Sequence, residues 1–346
     1  MIRNFPFALP AALAALALPL PAMAQDAPSP NQIVAEANAE EWVKIAPEDL
    51  LVMTLAPDRD GDAREVVIQL MPEPFSQGWV ANIRTLARAG WYDGISVNRV
   101  QDNYVVQWGD PNYDNPEAYG AAKPLPEGLR VMEESDYEFA VPQSLNRQVQ
   151  SKLATLLKQD EESGPVSHLF EVPTAKAFLK LFRVDPYAKF NVHYKGWPVA
   201  ASDKAWPVHC YGMVGVGRGM SPDTGSGAEL YTVIGHAPRH LDRNIALVGR
   251  IVSGMEHLSS LPRGSGDLGF YTNEEVDERT PIRSIRVASD LPAAERPRFE
   301  YLSTESETFA RYAEARANRR DPFFIKPAGG ADICNIPVPV RMTSAE

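Results

Sequence analysis

The stretch over residues 79–111 constrains this chain more than any other part of it. It opens as an amphipathic helix, turns at Tyr92-Asp93-Gly94, continues as a strand carrying Arg99 and ends on Gln107-x-Gly109-Asp110. A helical period that gives way to a strand within one turn narrows the available folds far more than a short motif does. The whole chain has 346 residues, 44% of them apolar, enough to bury the core of one large domain or two small ones.

Asn82, Leu86, Gly90, Tyr92, Gly94, Arg99, Val100, Gln107, Gly109 and Asp110 stand at the positions that mark the catalytic core of the cyclophilin-type peptidyl-prolyl isomerases, and the stretch closely resembles that core. A second block from residue 211 is similar to the family's second conserved region, and residues 281–288 resemble its closing strand. The resemblance implies a mostly β fold with α: a closed antiparallel eight-stranded barrel capped by helices, over residues 49–290. Between the blocks, residues 111 to about 205 replace a much shorter family connection. Helical patterns at 145–159 and 174–182 predict a folded, helical insertion there, since a structureless loop of that length is improbable in a compact domain. Residues 291–346 form a C-terminal extension with a helical pattern at 305–319 and a Pro-rich tail.

Residues 1–24 read as a secretory signal. Arg3 supplies the positive start, 11–20 is apolar, and Ala22-Met23-Ala24 is a small-x-small cleavage site before Gln25. The apolar run is too short and too proline-broken to span a bilayer, and no Cys follows the cleavage site to take a lipid. The expectation is a periplasmic protein with no membrane attachment after cleavage. Residues 25–48 then form a polar arm against the domain. Removing the signal, whose only charge is Arg3, takes the net charge from −11 to −12, which argues against a nucleic-acid partner. An oxidising compartment permits the two cysteines, Cys210 and Cys334, to pair. A bridge would tie the extension to the second block; two buried thiols are the alternative.

Isomerising an X-Pro bond means lowering a barrier of about 18–20 kcal/mol set by amide resonance. A hydrogen bond to the prolyl nitrogen and a dry apolar pocket for the ring accomplish this. No nucleophile, metal or cofactor is required. By the resemblance, Arg99 is the catalytic donor, and Gln107 orients it and meets the substrate backbone. Tyr104 and Tyr231 wall the proline pocket, Val105 neighbours it, and Leu241 lies at its floor. Gly217 and Gly219 keep the backbone around Arg218 open to a peptide. Departures from the family accompany these matches. Asn98 stands for His, Glu229 for Gln, His240 for a Trp, Arg218 for Asn, and Ile245 lies near a His or Tyr position. Glu229 is expected to pair with Arg99, competing with substrate or clamping the arginine.

Other signals are weaker. Asp58, Asp60 and Asp62 alternate in a turn between strands expected at 51–56 and 66–70, without the distal Glu of a calcium loop. Residues 215–219 are Gly-rich but lack the phosphate-loop Lys-Ser/Thr. His193, His209, His236 and His240 show no zinc spacing. Gly225-Ser226-Gly227 is not a nucleophile elbow. The expected function is cis/trans isomerisation of X-Pro bonds in exported proteins, with proline-containing polypeptides as partners. The runner-up is a weakly catalytic or non-catalytic proline-segment-binding chaperone or adaptor of the envelope, and a scaffold role comes third. Arg99 with Gln107 favours the enzyme; Glu229 and Ile245 favour binding.

Overall fold

A computed structural model describes residues 27–113, 118, 120–148, 150 and 185–343. The arm supplies α1 (Pro30–Ala35) and β1 (Trp42–Lys44). Next come β2 (Leu50–Leu55), β3 (Arg64–Leu70), α2 (Gln77–Arg88), β4 (Ser96–Val100) and β5 (Val105–Gly109). The insertion contributes β6 (Phe139–Ala140), β7 (Phe190–Tyr194), β8 (Trp197–Ala201) and β9 (Lys204–Pro207). Then follow β10 (Met213–Val216), β11 (Leu230–Val233), β12 (Leu247–Ser253), the short α3 (Glu256–Ser259) and β13 (Ile282–Val287). The extension adds β14 (Phe299–Leu302), α4 (Glu307–Ala317) and β15 (Val340–Met342).

Eight antiparallel strands form the barrel in the order β13-β2-β3-β12-β10-β11-β5-β4. The two edge strands meet: Val97 N donates to Thr280 O at 2.9 Å and Ile282 N to Ile95 O at 2.8 Å, which nearly closes the sheet on itself. The Asp-rich turn joins β2 to β3, and Asp58 Oδ1 accepts the N–H groups of Asp60 and Asp62 at 3.0 and 2.9 Å. Strand β2 is almost continuously apolar because both of its faces are buried. Leu51, Met53 and Leu55 enter the barrel core. Leu50 and Val52 face outward, where Phe299 of β14 and Ile45 of the arm cover them. Helix α2 caps the barrel with Trp79, Val80, Ile83, Leu86 and Ala87, a helical apolar stripe.

The described part of the insertion includes a sheet that the sequence reading did not foresee. Residues 143–148 are helical, but the rest of 145–159, apart from residue 150, lies outside the described residues, as do all of 174–182 and the signal segment. What is described is a four-stranded antiparallel sheet, β6-β9-β8-β7. Its strands escape a sequence reading because they are short and two of them carry Pro198 and Pro207, residues that demote a run to loop or edge. Trp197, Val199, Ala201 and Trp206 build its core against Met71, Phe75, Met213 and Leu247 of the barrel wall.

The extension has a structural account that the sequence did not supply. Its β14 pairs with both β1 and β15, so the arm joins the extension as much as the barrel. Helix α4 starts on Ser306, whose Oγ accepts Phe309 N at 3.0 Å, and packs Phe309 and Tyr312 against Ile33 and Trp42 of the arm. Cys334 is bonded to Cys210, with Cα atoms 5.1 Å apart. Barrel, insertion and extension all meet at Arg250, which is 8% exposed. Its guanidinium donates to Gln69 Oε1 and Gly196 O at 2.9 and 2.8 Å and lies against the rings of Trp197 and Tyr301. Burial without a carboxylate partner pulls this arginine down to about 10.

Candidate active site

A row of side chains crosses the sheet on one face. Strand register sets Arg99 opposite Gln107, Gln107 opposite Tyr231, and Tyr231 opposite Gly215. The glycine is required: a Cβ at residue 215 would lie 2.3 Å from the Tyr231 ring. Helix α2 and the turn after it hold the segment that leads into β11. Trp79 Nε1 donates to Thr224 O and Gly225 O, both at 3.0 Å, Asn82 Nδ2 to Ser226 O at 3.0 Å, and Tyr92 Oη to Gly227 O at 2.7 Å. Asn82 also exchanges hydrogen bonds with the Arg130 backbone at 2.8 and 2.9 Å. The motif residues of the first block thus position a loop nearly 150 residues downstream.

Arg99 is the charged centre of the row. Its Nε donates to Leu268 O at 2.7 Å, Nη1 to Gln107 Oε1 at 3.2 Å, and Nη2 to Gln101 Oε1. The guanidinium carbon lies 5.6 Å from the Tyr104 ring centre and 5.4 Å from that of Phe270. Burial lowers its pKa, opposed by Tyr104 and Tyr231, yet a guanidinium stays cationic throughout the physiological range. Three of its five N–H hydrogens are engaged, leaving two without a protein acceptor among the described residues.

Beside Arg99 a cleft of about 520 Å³ is lined by Tyr104, Val105, Gln107, Tyr231, Leu241 and Ile245, together with Gly217, Arg218, Glu229 and Phe270. Val105, Tyr231, Leu241 and Ile245 pack as one apolar cluster with Tyr104. His240 is outside the lining and stacks on Tyr104, with ring centres 6.3 Å apart. Gly219 is also outside it, its N–H given to Asp223 Oδ2 at 2.7 Å. The Arg218 guanidinium turns to Asn244 O and Gly219 O. Asn98 sits at the register irregularity between Val97 and Arg99, donating to Gly109 O at 3.0 Å from a buried position.

Glu229 does not meet the expectation of pairing with Arg99. Its Oε1 accepts the backbone N–H of Asp110 at 2.9 Å, and its carboxylate lies over Gly109, where a Cβ would come within 2.0 Å of it. The carboxylate is drawn to a fixed backbone donor at the end of β5, whereas Arg99 is held by Leu268, Gln107 and Gln101. Sequence reasoning missed Gln101, Leu268 and Phe270. The last two lie in an irregular segment far along the chain, and no periodic pattern or motif marks them.

The sequence matches, over residues 60–287, the profile of the family described as cyclophilin type peptidyl-prolyl cis-trans isomerase/CLD. The match spans more than half of the chain, and the protein belongs to that family and its activity class. Among solved structures, the chain is similar to the cyclophilin AquaCyp293 from Hirschia baltica. Identity is 20%, with 91% of this chain and 98% of that one covered and a TM-score of 0.56. A cyclophilin type peptidyl-prolyl cis-trans isomerase from Cryptosporidium parvum matches at 12% identity, over 69% of this chain and 96% of that one, with a TM-score of 0.35. The same protein in the presence of the dipeptide Ala-Pro matches at 11% identity, over 68% and 98%, with a TM-score of 0.33. Among curated proteins none matches this chain in sequence.

Proposed function

We propose that this protein isomerises X-Pro bonds of exported proteins in the periplasm, using the cleft beside Arg99. The observation that carries this reading is an arginine held on three sides by acceptors, with two N–H hydrogens left over, at the edge of an apolar pocket. A proline ring seated among Val105, Tyr231, Leu241 and Ile245 would be fixed while the preceding carbonyl swings. As the prolyl nitrogen turns pyramidal it gains a lone pair, and a guanidinium N–H can donate to it. That hydrogen bond exists only in the transition state, so it accelerates rotation instead of tightening ground-state binding. Gln107 keeps the guanidinium in plane and retains its own amide N–H groups for substrate backbone.

Export rests on the character of residues 1–24, and N-terminal sequencing of the cell-fractionated protein should find Gln25 first, in the periplasmic fraction. For the chemistry, exchange NMR or a protease-coupled assay on an X-Pro peptide panel is the direct test. Arg99→Ala should lower kcat/KM at least tenfold, about 1.4 kcal/mol, with circular dichroism unchanged. A folded Arg99→Ala protein with the wild-type rate would remove this site from the reaction. Peptide binding without any wild-type catalysis would favour a proline-segment-binding chaperone instead.

A further inference from the structure

A line of buried polar groups runs from the cleft to the inserted sheet, and the isomerase chemistry above uses none of them directly. The Tyr231 hydroxyl lies 2.9 Å from His209 Nε2, with the two rings within 10° of parallel. His209 Nδ1 lies 2.8 Å from Asp242 Oδ1, which also accepts the His209 backbone N–H at 3.0 Å. Arg239 Nε donates to Asp242 Oδ2 at 2.6 Å, and Arg239 Nη2 donates to Asp185 Oδ2 at 2.7 Å. All four residues behind Tyr231 are buried, and His209 is only 1% exposed. Asp185 lies just ahead of β7 and also accepts the N–H of Tyr187 at 2.8 Å. The insertion therefore reaches the proline pocket through side chains.

The directions of these bonds follow from the charges. Burial raises the Asp242 carboxyl, but the bond from His209 and the Arg239 guanidinium outweigh it and leave the group below its ordinary value. An ionised carboxylate only accepts, so His209 Nδ1 carries the proton. Burial lowers His209, Asp242 opposes this, and Arg239 and His240 add to the lowering, so the ring is neutral near pH 7. Its Nε2 is then an acceptor, and Tyr231 must be the donor. Burial pushes the Tyr231 phenol well above its usual range, so that proton is always present. The hydroxyl is thus turned into the protein, and Tyr231 offers the substrate ring carbon surface alone.

We propose that His209 is a positioning residue of the isomerase site, acting through the Tyr231 hydroxyl to fix one wall of the proline pocket, with Asp242, Arg239 and Asp185 tying that support to the inserted sheet. The proposal rests on the reading of the cleft as the isomerase site. The groups facing this pair are Asp242 from the loop after residue 241, Arg239 and His240 from the turn before it, and Asp185 from the insertion. Arg99, Tyr104 and Arg218 face Tyr231 from the pocket side. Protonated His209 would reverse this bond, its Nε2–H donating to the phenol oxygen, and the Tyr231 hydroxyl proton would lose its acceptor, so the wall would be held less firmly. Activity should therefore carry an acid limb that belongs to this pair.

The test is a double-mutant cycle on the full-length protein, with kcat and KM measured from pH 8 to pH 5 and folding followed by near-ultraviolet circular dichroism. Tyr231→Phe, which removes only the hydroxyl, should raise KM several-fold and abolish the acid limb. His209→Gln should raise KM similarly, and adding it to Tyr231→Phe should cost little more. His240→Gln should leave the acid limb in place. Additive effects, or an acid limb that persists in Tyr231→Phe, would overturn the proposal, and that variant decides the matter even where His209→Gln fails to fold. An Arg99→Ala protein with the wild-type rate would instead overturn the reading of the cleft itself.

Discussion

Arg99 shows how one residue can be identified from a motif while its surroundings cannot. Its place in the first block is a matter of spacing, but its restraint comes from Gln101 beside it and from Leu268 O, 169 positions away. A lysine could not take its place, because a single ammonium cannot hold those acceptors in a plane and still donate to substrate. Glu229 is the opposite case, since its motif position suggested a partner it does not have. Glu229→Gln keeps an acceptor for Asp110 N–H but loses the charge, so stability should fall by about 1 kcal/mol with activity little changed. Urea unfolding and the peptide assay measure both quantities. A marked rise in activity would restore the idea that the carboxylate restrains Arg99.

At the scale of elements, helix α2 does more than cap the barrel. Asn82 makes three hydrogen bonds, to Ser226 O and to both backbone groups of Arg130, from a position 1% exposed. Asn82→Ala should cost about 3 kcal/mol, roughly 1 for each bond lost. It should also raise KM, because residues 225–228 lead directly into Tyr231. Denaturant midpoints and substrate titrations of the same variant would show the two effects together, and a stability loss with unchanged KM would mean the loop is held without α2. The helix was legible because its apolar stripe repeats at helical spacing. Strands β7, β8 and β9 were not, because they are short and two of them carry Pro198 and Pro207, which cannot donate to a ladder.

At the scale of the molecule, insertion and extension pack against the barrel and meet it at Arg250, and the Cys210–Cys334 bridge ties the extension to the chain just ahead of β10. The bridge closes a separation of 124 residues, for which chain entropy gives about 5 kcal/mol as an upper figure. Cys334→Ser should lower the guanidinium midpoint in non-reducing buffer, and an unchanged midpoint would mean that packing alone holds the extension. Acid should weaken the fold in two stages. His209 is lowered in the folded state, so its contribution is complete above the unfolded imidazole value of about 6.5 and is lost as pH falls through the folded value. Asp242, also lowered, adds its loss further down, below an unfolded value of about 3.9. Melting temperatures from pH 8 to pH 4 should fall first in the imidazole range, and His209→Gln should remove that first step.

What the sequence determined by itself was local or nearly so: the capping helix, the β2–β3 hairpin, and the order of Arg99, Tyr104 and Gln107 along two adjacent strands and the turn between them. Periodicity and turn residues act over a few positions, and a family's spacing records them directly. The tertiary structure alone decided which face of β2 the extension covers, and that Glu229 answers to Asp110. It also decided that Phe270 stands over Arg99, and that His209, which showed no metal spacing, supports the pocket wall through Tyr231. Each of these depends on where distant segments come to rest when buried polar groups must find partners and apolar faces must find cover. No periodic signal in the chain records which partner is found.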